Sequence, residues 1–192
     1  MSKKTNKQAG FTLVEISMAM AIFTFMLLVV SMAYINIARL YNASTAARNV
    51  QQNNRFAMEQ ISRVARSSVS ADEVPDSAMV QQGVCFKSSS GEQLFYLHSL
   101  SAAQDTEFEL RQSSSCNNPT DGNSKVLTSS GVYVAKLEAK RIQNTITISM
   151  WMSARVDLLD TNDPSGLKCK TGAGTEFCAI NKLTTTVELR GN

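Results

Sequence analysis

Gly10-Phe11-Thr12-Leu13-Val14-Glu15, followed by the run from Ile16 to Ala38, decides the reading of this chain. Residues 16–38 hold no charged residue, no proline and no glycine. At about 1.5 Å per residue, a helix of that stretch is roughly 35 Å long, enough to cross the hydrocarbon core of a bilayer. Ser17, Thr24, Ser31 and Asn36 interrupt the apolar run, but hydroxyls can bond back to helix carbonyls. A buried core helix is the soluble alternative; such helices are seldom apolar on every side for about six turns.

The flanks sharpen the reading. Lys3, Lys4 and Lys7 precede the run with no acid among the first ten residues, which keeps the N-terminus cytoplasmic by the positive-inside tendency. A secretory signal would end in a small-residue cleavage site. Here the run is followed by Arg39-Leu40-Tyr41, without that pattern. Glu15 is the anomaly. A carboxylate at the mouth of a membrane span is costly unless paired and marks function by default. No Lys or Arg follows it within one turn, so its partner is expected from another chain or a new amino terminus.

These residues resemble the class III signal of type IV pilins and type II secretion pseudopilins: a Lys-rich leader, Gly10, the aromatic Phe11, Glu15 and a long apolar helix. The resemblance implies cleavage between Gly10 and Phe11 by a prepilin peptidase and N-methylation of Phe11. Glu15 becomes the fifth mature residue and pairs with the Phe11 amine of a neighbouring subunit during assembly. It also implies an α+β, pilin-like fold, a long N-terminal helix packed on an antiparallel sheet. The expected divisions are a leader over 1–10, a transmembrane and filament-core half-helix over 11–38, an amphipathic half over 39–70 and a β-sheet domain over 71–192.

Helical periodicity does continue past residue 38. Ala43, Ala46, Ala47, Val50, Ala57, Ile61, Val64 and Ala65 share one face, with Arg48, Arg55, Glu59 and Arg66 opposite. One helix of some 55–60 residues, roughly 85–90 Å long, is expected. The arginines read as a solvated face, or as contacts to acidic neighbouring subunits or lipid headgroups. Ser67-Ser68 and Pro75 end the helix, and Ser70–Ser77 reads as a loop. Strands are expected at Val80–Lys87, Gln93–His98, Glu107–Gln112, Val132–Leu137, Thr145–Met152 and Thr184–Leu189. Ser113–Ser130 and Asp160–Glu176 read as loops. The stretch Gln51–Arg66 and the ending Thr184–Asn192 resemble the PilW-like minor pilins and the J-type pseudopilins.

Charge and cysteine usage bound the chemistry. The chain of 192 residues carries a formal +3. Residues 36–66 hold five Arg and one Glu, whereas residues 67–192 hold 11 basic and 14 acidic residues. A net-negative globular part is a poor footprint for non-specific nucleic-acid binding; Lys168 with Lys170, and Lys140 with Arg141, keep DNA open. Cys85, Cys116, Cys169 and Cys178 all follow the apolar run, on the side where thiols pair. Three pairings are open. Cys169 and Cys178 lie close in sequence around Gly172-Ala173-Gly174, and joining them leaves Cys85 with Cys116. Zinc is the rival, but there is no Cys-x-x-Cys spacing and His98 is the sole histidine. Asp157, Asp160, Asn162 and Asp163 suggest calcium, yet the order of an EF-hand loop fails at Pro164 and a solvated turn is the simpler reading.

No nucleophile elbow, phosphate loop or HExxH motif is present, so no catalytic residue, metal or cofactor is expected. The resemblance implies a structural minor subunit of a type IV pilus-like filament. Met32 stands at the twenty-second mature position, where many major pilins carry proline. Glu15 is retained, whereas a tip-most subunit commonly lacks it. Implied partners are other pilin or pseudopilin subunits, the prepilin peptidase, the inner-membrane assembly platform, and membrane lipid before assembly. The C-terminal part lies outside the cytoplasm. The alternative is a pilin-like competence protein or tip adhesin that binds DNA or a surface.

Overall fold

The computed structural model describes residues 11–74, 80–100, 107–117, 124–160, 167–170 and 175–190. The chain divides into two compact units, one ending at Tyr41 and the other starting at Asn42.

A single helix, α1 (Leu13–Ser67, 55 residues), runs through the boundary. No glycine or proline lies within it, so nothing in the sequence breaks the ladder of i to i−4 bonds. Its end is set by hydroxyls. Ser67 Oγ and Ser68 Oγ both donate to Val64 O, at 2.8 and 2.7 Å, and Ser68 N reaches Ala65 O at 3.1 Å. These bonds close carbonyls that a helix terminus leaves open.

In the second unit α1 buries the expected stripe. Val50, Ala57, Ile61 and Ala65 are buried, and Ala43, Ala46, Ala47 and Val64 half-buried. Arg48, Arg55, Glu59 and Arg66 are exposed, as their phase requires. Two members were not anticipated, Met58 and the fully buried Asn54. Asn54 Nδ2 donates to Asn181 O and Oδ1 at 3.0 and 2.8 Å, which offsets the cost of burying an amide inside the apolar stripe.

The strands form two main sheets and a ribbon, where one sheet was expected. The larger has the order β1 (Ser70–Val74), β2 (Val80–Ser88), β3 (Gly91–Ser99), β4 (Phe108–Ser113) and β5 (Lys125–Val126). The smaller places β7 (Thr145–Ser153) between β6 (Tyr133–Ile142) and β10 (Ile180–Glu188), and β8 (Leu159–Asp160) pairs with β9 (Lys168–Cys169). Every pairing is antiparallel. In β7 the alternation is realised: Ile146, Ile148, Met150 and Met152 are buried. They join the α1 stripe, Val84, Phe86, Phe95, Leu97 and Leu110 from the larger sheet, and Val187 and Leu189, in one core. Burying each large aliphatic side chain there contributes about 1.5–3 kcal/mol. Cys85, Leu94 and Tyr96 form a second small cluster.

Three expectations need correction. Ser70–Val74 is a strand and not a loop; its register runs Ser70↔Lys87 to Val74↔Gly83. Its two acids lower β propensity, but pairing with β2 and the Lys87–Asp72 ion pair at 3.4 Å override it. The β6 strand runs five residues beyond Leu137 to Ile142, and β10 begins at Ile180 rather than Thr184, because β7 between them templates both. The expected loops Ser113–Ser130 and Asp160–Glu176 contain the short strands β5 and β9.

One close approach fixes a residue. A bulge in β2 puts Gln82 at φ 49° and shifts the register at Gly83. A Cβ on Gly83 would lie 3.2 Å from Tyr96 Cβ and 3.3 Å from Phe95 O, so a side chain there would press β3 away by a few tenths of an ångström.

Candidate processing and assembly site

The site is the start of α1. Gly10 and the leader lysines lie outside the described residues. Phe11 is 83% exposed, and the helix begins two residues later at Leu13. Thr12 caps it. Ile16 N donates to Thr12 O at 3.3 Å, Glu15 N to Thr12 Oγ1 at 3.3 Å, and Thr12 N to Glu15 Oε2 at 3.0 Å. Thr12 Oγ1 also lies 3.1 Å from that carboxylate oxygen as a donor. This is a capping box, in which residues three apart satisfy each other's backbone donors.

The capping box amends the expectation for Glu15. Its carboxylate already has partners within its own chain, although they are neutral ones. All of these bonds fall on Oε2. Oε1 has no hydrogen-bond partner among the described residues. The pattern Thr-x-x-Glu was legible in the sequence and went unread there.

Beyond the cap, the helix to Leu40 has no buried residue. Every large apolar side chain from Leu13 to Ile37 is exposed, Leu13, Phe25, Met32 and Tyr34 among them. Ser17, Thr24 and Ser31 bond back to Val14 O, Ala21 O and Leu27 O at 2.9, 2.9 and 2.7 Å. Their hydroxyls are thereby satisfied without water, as a lipid environment demands. The helix contains a stretch long and apolar enough to cross a membrane, by length and composition.

The cysteines join as Cys85–Cys116 and Cys169–Cys178, with Cα separations of 5.7 and 5.9 Å. The first couples β2 to the segment after β4; the second ties β9 to the turn before β10. Cys85, Cys116 and Glu92 gather closely enough to hold a metal ion, but both sulfurs are spent in the disulfide. By loop length, removing Cys85–Cys116 is expected to cost about 3–4 kcal/mol and removing Cys169–Cys178 about 2–3 kcal/mol. Denaturant midpoints of the two paired Cys→Ser variants check this; equal or reversed losses would contradict it.

The other candidate residues are not brought together. His98 in β3 is half-buried, its ring edge-on to Tyr96 with centroids 6.5 Å apart. Asp157 accepts from Arg155 Nε at 2.9 Å and Nη2 at 2.8 Å. Those bonds hold its carboxyl below the usual carboxylate range and raise the guanidinium. The pair therefore steadies its turn above the ordinary Asp pKa, and that support is lost as pH falls through the lowered value. Lys170 Nζ donates to Asp157 O at 3.0 Å. Asp160 stands in β8, and Asn162 and Asp163 lie outside the described residues.

Neither a curated protein nor a solved structure matches the chain. A family model does: residues 5–31 carry the prokaryotic N-terminal methylation motif, which implies a type IV pilin-like substrate of a prepilin peptidase that assembles with other pilin subunits.

Proposed function

We propose that this chain is a minor subunit of a type IV pilus-like or secretion-pseudopilus filament, of the PilW-like or J-type kind. Residues 1–10 are a leader removed between Gly10 and Phe11. The new Phe11 amine is methylated, and residues 11–38 hold the precursor in the inner membrane with the remainder outside the cytoplasm. The assembly platform then transfers the chain into a filament, where Glu15 Oε1 meets the Phe11 amine of the adjacent subunit. Opposite charges in low dielectric attract strongly, and either one alone in lipid is costly.

The observation that carries this reading is the continuity of the methylation motif with a capped helix whose apolar side chains are exposed on every side. Such a surface is stable against lipid or other apolar helices, not in water. A minor rank is supported by the unbroken helix through Met32 and by the retained Glu15. Mass spectrometry of sheared filaments tests both parts. The expected protein begins at N-methylated Phe11 and is present at far fewer copies than the most abundant pilin. An intact Met1 end in filaments would overturn the processing, and an equal copy number would overturn the rank.

A further inference from the structure

The sheet β6–β7–β10 carries the core on one face and meets water on the other. On the outer face four rows cross the strands: Lys136–Trp151–Lys182, Glu138–Ser149–Thr184, Lys140–Thr147–Thr186 and Ile142–Thr145–Glu188. Trp151 is the chain's sole tryptophan. Lys182 Nζ lies 4.5 Å and Lys136 Nζ 5.5 Å from its ring centre. Two hydroxyl pairs continue the surface, Ser149–Thr184 at 2.9 Å and Thr147–Thr186 at 3.0 Å. Lys136 also pairs with Glu138 at 2.5 Å. Lys140 is exposed and has no ion-pair partner among the described residues. The face thus carries three lysines against two glutamates, Glu138 and Glu188, a small positive excess on a part of the chain, residues 67–192, that is net negative.

Shielding the indole from water would need one lysine stem. Here lysines from both strands flanking β7 converge on it, and Lys140, without an ion pair among the described residues, stands two rows away. Clustered ammonium groups select an anionic ligand. The rest of the face says what kind. Four hydroxyls and the Glu138 carboxylate could exchange hydrogen bonds with a hydroxyl-rich ligand, and two glutamates on the face suit widely spaced carboxylates better than the dense phosphates of a nucleic acid. Rows about 7 Å apart leave room for a short oligosaccharide.

We propose that this face binds an acidic polysaccharide bearing uronate groups. Its carboxylates sit at Lys136, Lys182 and Lys140, its ring hydroxyls at the Ser/Thr pairs and Glu138, and a sugar face against Trp151. This inference goes beyond the filament reading and stands without it.

The full chain in detergent micelles provides the test, with Trp151 emission as the signal. Probes are an oligogalacturonate, neutral dextran and a single-stranded DNA oligonucleotide. The expected result is a saturable change with oligogalacturonate and none with dextran. Combining Lys136→Gln with Lys182→Gln should weaken binding about tenfold or more. Combining Thr147→Val with Thr184→Val should weaken it several-fold with every lysine present, which plain charge capture would not. Lys140→Glu, which leaves the ring contacts intact, should weaken it as well and covers the case in which the double lysine variant unfolds. No response to oligogalacturonate, DNA binding as tight as oligogalacturonate, or full affinity in Lys140→Glu would each overturn the proposal.

Discussion

Gly10→Val is expected to leave the chain in the membrane as an uncut precursor that begins ahead of Phe11. The reading behind this is cleavage between Gly10 and Phe11, inside the motif that spans residues 5–31. A peptidase must draw the backbone at the cut into close register with its catalytic groups. Glycine allows that approach, and a β-branched side chain both stiffens the backbone and stands in the way. Misplacement of about 1 Å at a reacting bond costs on the order of a hundredfold in rate. Insertion should be unaffected, because Ile16–Ala38 is untouched. Intact-mass analysis of membrane and filament fractions gives the answer: wild-type amounts of protein starting at Phe11 would show that the cut does not depend on Gly10.

Glu15→Val is expected to insert normally and fail to assemble. The variant removes a charge from the span, which eases insertion. In a filament it also leaves the neighbouring Phe11 amine without its counter-charge, and an unpartnered buried charge costs about 3–5 kcal/mol. Incorporation into sheared filaments should therefore fall by two orders of magnitude or more, on the order of what that penalty gives. The capping box makes a control necessary, since Glu15 also bonds Thr12 N and Oγ1. Thr12→Val removes the hydroxyl of the cap at about 1 kcal/mol but keeps the carboxylate. It should assemble nearly as the parent does. Equal loss in both variants would mean that Glu15 serves only to start the helix.

The parts of the fold legible in the sequence were those where one physical signal dominated. In β7 the strict alternation Thr145-Ile146-Thr147-Ile148 admits only a half-buried strand, and the buried set follows from it. The Ala-rich stripe of α1 was equally plain because small residues recur at helical spacing. What escaped depends on partners distant in sequence. Ser-Ala-Asp-Glu-Val over 70–74 carries no strand signal of its own and becomes one against Lys87–Gly83. Asn54 went unread as a member of the stripe, because its acceptors come from Asn181, far along the chain. Trp151 was silent for the same reason, as its lysines come from two other strands. At the N-terminus the methylation motif was readable, but the Thr12–Glu15 capping box within it went unread, and the gathering of its bonds on Oε2 is a matter of geometry.

One consequence follows from the way the sheets are attached to α1. The chain leaves the helix at Ser68, Val69 N bonds Lys87 O at 2.8 Å, and after all ten strands Arg190 N returns to Ser68 O at 2.9 Å. Departure and return thus share one residue, which makes the strands a closed detour. The two bonds at this seam would have to part before the strands could be drawn away from the end of α1. Trp151 and its flanking lysines, on strands inside that detour, would keep their register for as long as the seam is closed.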